Sequence, residues 1–152
     1  MAANQRGTEM AQASKPVSTA PEPGHGAYAE EMRGLVDRAF CNSQRYTDQQ
    51  ARANREGADP RILEFERKLI KRARKLGVPL FAHCVIRGSH EQNNLFLAGR
   101  SQARAGESPH NYGCAVDVVH GTKGWALTER QWAILGYLGK VTAAGMGLGV
   151  VW

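Results

Sequence analysis

Apolar residues recur with a helical period between residues 59 and 77, and this is the strongest pattern along the chain. The apolar positions share one face of the predicted helix: Ile62, Phe65, Leu69, Ala73 and Leu76. Asp59 suits the N-cap, Pro60 suits the first turn, and Gly77 suits the left-handed position just past the end. The pattern therefore predicts an amphipathic helix that lies on a core.

Two short apolar runs predict buried strands, VPLFAHCVI at residues 78 to 86 and AVDVV at residues 115 to 119. Between these runs, residues 87 to 101 predict a turn and a short helix. After the second run, Thr128 is followed three residues later by Gln131, which is the spacing of a capping box. This spacing predicts a further helix, which continues until its glycines end it.

The N-terminal part of the chain gives weaker signals. Residues 1 to 27 are rich in Ala, Ser, Pro and Gly and lack an apolar period, which predicts a flexible arm. Residues 28 to 58 predict a helix from Tyr28 to about Phe40 and then a polar stretch, so we expect a helical or linker extension of unknown role.

The order of these elements favours an α+β or α/β fold. The last five residues, LGVVW, predict the start of a third strand. Helices that alternate with short strands are typical of a layered domain, so residues 59 to 152 are expected to form a small sheet with packed helices.

Composition and charge narrow the class of protein. The 152 residues are 42% hydrophobic and 22% charged, which is typical of one globular domain with an appendage. Residues 59 to 77 contain 7 basic and 3 acidic side chains, so most of the net charge of +6 lies on one helix. This face would favour a polyanion, but no basic and aromatic residues are interleaved in it, so a solvated face is preferred and nucleic acid is not expected as a partner.

The cysteines and the N-terminus indicate where the protein is made. Three cysteines at unrelated spacings argue against a disulfide framework and favour a reducing compartment. The N-terminus has no signal-peptide pattern, and no apolar run is long enough to span a membrane. We therefore expect cytoplasmic synthesis without a signal peptide.

His110 and Asp117 are the residues most suited to metal chemistry. They stand seven residues apart in SPHNYGCAVD, with Gly113 between them to permit a turn. Asp117 is the polar residue of an apolar strand, and a buried carboxylate needs a partner. Histidine nitrogen and carboxylate oxygen are ligands that zinc accepts, but a short spacing of this kind is also common in sites without a metal.

The wider motif resembles a known family. Its positions are Ser108, His110, Gly113, Ala115 and Asp117, which match the SxHxxGxAxD motif of the peptidase M15 family. This family contains zinc D-alanyl-D-alanine carboxypeptidases and phage L-alanyl-D-glutamate endopeptidases, which cut peptidoglycan stem peptides. Arg87 and Gln92 match an upstream Arg and Gln of the family, and GRS at residues 99 to 101 matches the segment that follows. The resemblance covers residues 59 to 152 and implies a hedgehog/DD-peptidase-like fold, which is α+β with a small, mainly antiparallel sheet and packed helices.

The resemblance implies a role for each matched residue. His110 and Asp117 would be zinc ligands, and Arg87 would act in catalysis by polarising the scissile carbonyl or by holding the substrate as a fixed cation. Gln92 and Ser108 would position the substrate, a stem peptide of bacterial peptidoglycan. The protein would resemble a phage endolysin that acts at the cell wall after release or from the virion.

The sequence also departs from the family pattern. The family supplies its third zinc ligand, a histidine, and a glutamate base from a Glu-x-x-His segment beyond the stretch that LGVVW resembles, so we expect a C-terminally incomplete domain with poor activity. Three further histidines, His83, His90 and His120, are interpreted as solvated or core residues. A shortened active enzyme is the favoured explanation. There are two alternatives. The protein could be a degenerate homologue that binds the cell wall or phage virion proteins, or another chain could complete the site.

Overall fold

The structure, a computed structural model, describes residues 25 to 152 and has an α+β fold, as the sequence predicts. The predicted arm, residues 1 to 27, lies almost entirely outside this described part. Six helices are present among the described residues: α1 His25–Leu35, α2 Arg38–Cys41, α3 Gln44–Gln50, α4 Pro60–Leu76, α5 Ser89–Leu97 and α6 Glu129–Ala144. Two strands, β1 Leu80–Cys84 and β2 Asp117–His120, form an antiparallel sheet.

Helix α4 confirms the amphipathic pattern. The Asp59 side chain accepts a hydrogen bond from the Arg61 backbone at its N-terminus, and Gly77 has a φ of 84° at its C-terminus. Phe65, Leu69 and Ala73 are buried against the core, as their spacing predicts. Leu76 was expected on the same face but is 40% exposed, because it occupies the last turn, where the chain leaves the helix for β1.

Helix α6 covers the other side of the core. Thr128 accepts a hydrogen bond from the Gln131 backbone and Gln131 accepts one in return, so the predicted capping box is present. Leu135 and Leu138 on this helix pack with Phe65 and Leu69 of α4. The core therefore lies between two helices whose ends are determined by local hydrogen bonds.

The predicted third strand does not form. Residues 148 to 152 have no strand pairing. Leu148 and Val150 instead pack against the core, and the Trp152 indole lies over α6, where any Cβ at Gly136 would be 2.8 Å from it. Apolar residues can be buried by packing alone, whereas a strand also needs a neighbouring edge with which to pair its backbone.

Residues 28 to 58 are packed onto the same core. The helix predicted from Tyr28 to Phe40 is broken after Leu35, and Asp37 caps α2 by accepting a hydrogen bond from the Phe40 backbone at 2.9 Å. Tyr46 of α3 is 2% exposed, and its hydroxyl donates to Leu80 O of β1 at 2.9 Å. Helix α3 therefore supports the sheet directly. Among the described residues, no helix has the length and apolar character needed to cross a membrane.

Candidate metal centre

A bulge at the end of the sheet determines which side chains face Asp117. Ala82 pairs with Val118, but the next pair is Cys84 with Asp117, so His83 is an extra residue in β1. Side chains alternate across a regular strand, and the bulge breaks that alternation. As a result His83 and Cys84 both line the same groove as Asp117.

His110 is held by a short turn whose ends are capped. Residues Pro109–Tyr112 form one turn of 3-10 helix, and Ser108 accepts a hydrogen bond from the His110 backbone at 3.3 Å. Gly113 ends the turn with a φ of 68°, in the left-handed region. A Cβ at Gly113 would lie 2.6 Å from Ala58 Cα, so this position requires glycine for both conformation and space.

The His110 ring joins the two strands through its two nitrogens. Nδ1 lies 3.0 Å from Val85 O, and because a carbonyl only accepts, Nδ1 carries a proton and donates. Nε2 lies 3.2 Å from Asp117 Oδ1. The ring is 11% exposed, so its orientation is fixed by burial as well as by these contacts. Nε2 is the nitrogen that is available for a ligand.

Arg87 connects Asp117 to a buried amide. Its Nη2 donates to Asp117 Oδ2 at 3.1 Å, and its Nη1 donates to Gln92 Oε1 at 3.0 Å. Gln92 is fully buried, and its amide nitrogen donates to Ser101 Oγ and Ala103 O at 2.8 and 2.6 Å. The guanidinium therefore has a fixed position beside the carboxylate, with the loop after α5 behind it.

His110 and Asp117 form an ion pair. The hydrogen bond with Asp117 is the main reason why the pKa of His110 is raised to about 10; the Cys84 thiol also raises it, and burial opposes both. Burial raises the pKa of Asp117, but the hydrogen bond and charge of His110 and the charge of Arg87 outweigh it, so this pKa is lowered. At neutral pH an imidazolium therefore faces a carboxylate, and a metal cation would replace the proton on Nε2.

Three side chains with metal-binding atoms meet at this point. Cys84, His110 and Asp117 each offer one ligand atom, and these atoms all lie within 4.8 Å of one another. The sequence pattern identified His110 and Asp117 but missed Cys84. In a regular strand Cys84 would face away from Asp117. No residue type in β1 predicts the bulge that brings the Cys84 side chain to the same side as Asp117.

Cys84 and Asp117 line an open groove with a volume of about 620 Å³. Basic side chains at this groove are Arg52, Arg87 and Arg100, and the acidic ones are Glu91 and Asp117. Trp125 also lines it, is 55% exposed, and meets the His83 ring edge-on at 5.8 Å between centroids. The groove therefore combines a net positive charge with an exposed aromatic surface.

The structure separates the predicted site residues into two groups. Hydrogen bonds join His110, Asp117 and Arg87, and the last two line the groove. Gln92 is 0% exposed and bonds to Arg87, Ser101 and Ala103. Ser108 is 5% exposed and accepts a hydrogen bond from the His110 backbone. In this structure Gln92 and Ser108 therefore position the site residues, and contact of either with a peptide stays a prediction.

His83, His90 and His120 differ from one another in burial and in contacts. His120 is 1% exposed and bonds to Leu35 O at 2.9 Å, which confirms it as a core residue. His90 is exposed and lies 3.3 Å from Asn94, which confirms it as a surface residue. His83 is half-buried and lines the groove instead of belonging to either class.

No model of a known protein family matches this chain, and no solved structure matches it significantly. The proposed chemistry of the site therefore rests on the geometry of its residues.

Proposed function

We propose that this protein is a zinc-dependent hydrolase of the stem peptides in bacterial peptidoglycan, of the kind represented by the peptidase M15 family. The observation that carries the proposal is the approach of His110 Nε2 to Asp117 Oδ1, at 3.2 Å, because Asp117 lies beside Arg87 in the lining of an open groove. The motif that contains both residues resembles that family.

The spacing of the two donors fits zinc. Nitrogen and oxygen ligands at about 2.0–2.1 Å from a tetrahedral zinc lie about 3.3 Å from each other. The pair in the protein already has this separation. In addition, the hydrogen bond from His110 Nδ1 to Val85 O fixes the tautomer that leaves Nε2 free to bind a metal.

The surrounding residues fit amide hydrolysis. A bound zinc would polarise the peptide carbonyl and lower the pKa of a water molecule. Arg87 is held by Asp117 and Gln92, so it presents a fixed positive charge to the oxygen that becomes negative in the transition state. A donor that is already oriented costs little reorganisation when the reaction occurs.

The charge of the groove supports an anionic peptide as substrate. Arg52 and Arg100 line it together with Arg87, against the carboxylates of Glu91 and Asp117. Stem peptides carry free carboxylates, which guanidinium groups bind well. Trp125 offers an exposed face for contact with the remainder of the substrate.

We further propose that turnover by this 152-residue chain is slow. In the described part of the chain, the cluster of metal-binding side chains contains one carboxylate, that of Asp117, and the proposal uses it as a ligand. Removal of a proton from the attacking water then has no assigned base, and such a base typically contributes about 10²–10⁴-fold to rate.

The test is hydrolysis of purified muropeptides by the full chain. The chain is stripped of metal, reloaded with zinc and incubated with pentapeptide muropeptides, and the products are identified by mass spectrometry. We expect slow zinc-dependent release of a stem-peptide fragment that is lost in His110→Ala and retained in His90→Ala, because His90 is exposed on α5. Absence of any product in the zinc-loaded chain would contradict the proposal. Turnover near the enzyme median of about 10 s⁻¹ would contradict its second part.

A further inference from the structure

We propose that the Cys84 thiolate is the third protein ligand of this metal centre, so that the ligand set is one cysteine, one histidine and one aspartate. The inference rests on the proposed function, because it concerns the same ion. It starts from the finding that the Cys84, His110 and Asp117 donor atoms all lie within 4.8 Å of one another.

The backbone already directs Cys84 toward the other two donors. The bulge in β1 pairs Cys84 with Asp117, so both side chains leave the sheet on the same side. Sulfur at about 2.3 Å from a tetrahedral zinc lies about 3.5 Å from the nitrogen and oxygen ligands. From the observed upper limit of 4.8 Å, a movement of about 1.3 Å or less at Sγ, which a rotation of the side chain supplies, therefore closes the site.

The thiol is not committed elsewhere. It makes a long hydrogen bond of 3.6 Å from Sγ to Ile86 O. Sulfur is a weak hydrogen-bond donor, so a metal replaces this contact at little cost. Cys84 is half-buried and lines the groove, which gives both the metal and solvent a path to it.

A Cys–His–Asp set has the chemistry of an open zinc site. Zinc accepts thiolate, imidazole and carboxylate ligands, and three protein ligands leave a fourth position for water or substrate. The two anionic ligands balance the charge of the ion, while Arg87 pairs with the outer oxygen of Asp117. The soft thiolate also increases the preference for zinc over hard cations such as magnesium.

The other two cysteines serve as matched controls. Cys41 is buried at the end of α2 and Cys114 is exposed after the 3-10 turn. Neither belongs to the cluster of donor atoms. Replacing either with serine changes the number of thiols by one and leaves the proposed ligand set intact.

The experiment uses cobalt as a spectroscopic substitute for zinc. The full chain, metal-free and reduced, is titrated with Co²⁺ and then with Zn²⁺. We expect a strong near-ultraviolet sulfur-to-cobalt charge-transfer band in the natural sequence and in the Cys41→Ser and Cys114→Ser variants. In Cys84→Ser the band should be absent and zinc affinity should fall roughly tenfold or more, because a neutral hydroxyl replaces a thiolate.

A second measurement on the unaltered protein removes the dependence on a variant that folds. Iodoacetamide labelling with peptide mapping gives the alkylation rate of each cysteine separately. We expect saturating Zn²⁺ to slow alkylation of Cys84 at least about tenfold, while the rate at Cys114 is unchanged, because the thiolate lone pair is the nucleophile and the ligand.

The outcomes distinguish this inference from the proposed function. Metal binding that depends on His110 and Asp117, without the charge-transfer band and without protection of Cys84, would overturn the cysteine ligand and leave the hydrolase proposal standing. A chain that binds neither Co²⁺ nor Zn²⁺ would overturn both. The band together with its loss in Cys84→Ser would support the cysteine ligand irrespective of the hydrolysis result.

Discussion

The Arg87 guanidinium donates to Asp117 Oδ2 at 3.1 Å, while the other oxygen of the same carboxylate lies 3.2 Å from His110 Nε2. Asp117 thus has one oxygen for His110 and one for Arg87. Because Arg87 also bonds to Gln92, the position of the carboxylate depends on a buried amide that has no contact with it. The site is therefore supported from behind by the segment that contains α5.

Replacement of Arg87 with lysine tests the two-sided contact. A lysine ammonium is a point charge on a flexible stem and does not reproduce both fork contacts. We expect muropeptide hydrolysis to fall about 10–100-fold, the range typical when a group that orients a metal ligand is lost. The same change at Arg130, which is exposed at the start of α6, should have no effect. Equal rates for Arg87→Lys and the natural sequence would show that the arginine has no catalytic role.

Gly113→Ala tests the turn that holds His110. The substitution introduces strain at a φ of 68° and places a methyl group 2.6 Å from Ala58 Cα. We expect a loss of about 2 kcal/mol or more in the free energy of unfolding, together with weaker metal binding. Gly147 has the same φ of 68° but nothing within 4 Å of its Cβ position, so Gly147→Ala isolates the conformational part of the cost. Urea denaturation of both variants gives the comparison, and equal losses would show that the contact with Ala58 relaxes freely.

Glu66→Gln tests the attachment of the segment before α4. Glu66 is 5% exposed and accepts hydrogen bonds from Arg55 Nε and Nη2, the latter at 2.6 Å. Arg55 also donates to Gln50 O and Ala53 O, so the ion pair holds this loop in place.

We expect Glu66→Gln to lower the free energy of unfolding by about 2–3 kcal/mol, because a buried charged partner is lost. Glu64, 48% exposed and paired with Lys68, is the matched control, and Glu64→Gln should change stability far less than Glu66→Gln, because solvent screens an exposed ion pair. Thermal or urea unfolding followed by circular dichroism measures both. Similar effects of the two variants would contradict the structural role of the Arg55 pair.

The raised pKa of Tyr46 predicts that the protein loses stability at alkaline pH. Burial is the main reason why the pKa of Tyr46 is raised from 10.0 to about 12. A pKa that is higher in the folded state means that folding favours the protonated hydroxyl. This contribution is complete below pH 10 and is lost as the pH rises through 12.

The expected loss from Tyr46 is about 2 kcal/mol between about pH 10 and pH 12. The Tyr46→Phe variant lacks the hydrogen bond to Leu80 O, so it should be less stable by about 1 kcal/mol near pH 8. Because phenylalanine does not ionise, the difference between the two proteins should shrink or reverse near pH 12. Urea denaturation across this range measures it, and parallel pH profiles would exclude the contribution of Tyr46.

Local chemistry was sufficient to place the two main helices and the residues of the motif. Asp59 and Gly77 determine the ends of α4, and Thr128 with Gln131 determines the start of α6, because caps are interactions between residues close in the chain. His110 and Asp117 were also visible in the sequence, since only seven residues separate them and a glycine permits the turn.

Contacts between distant segments determined the rest. Residues 148 to 152 have the composition of a strand but pair with no strand edge. Helix α3 supports β1 because the Tyr46 hydroxyl donates a hydrogen bond to Leu80 O. Cys84 comes close to His110 and Asp117 because β1 bulges where it meets β2. The position of a bulge depends on which residues pair across the sheet, and pairing is a property of two segments together. The third donor of the site was therefore decided by the tertiary structure, whereas the first two were apparent from the spacing of residues along the chain.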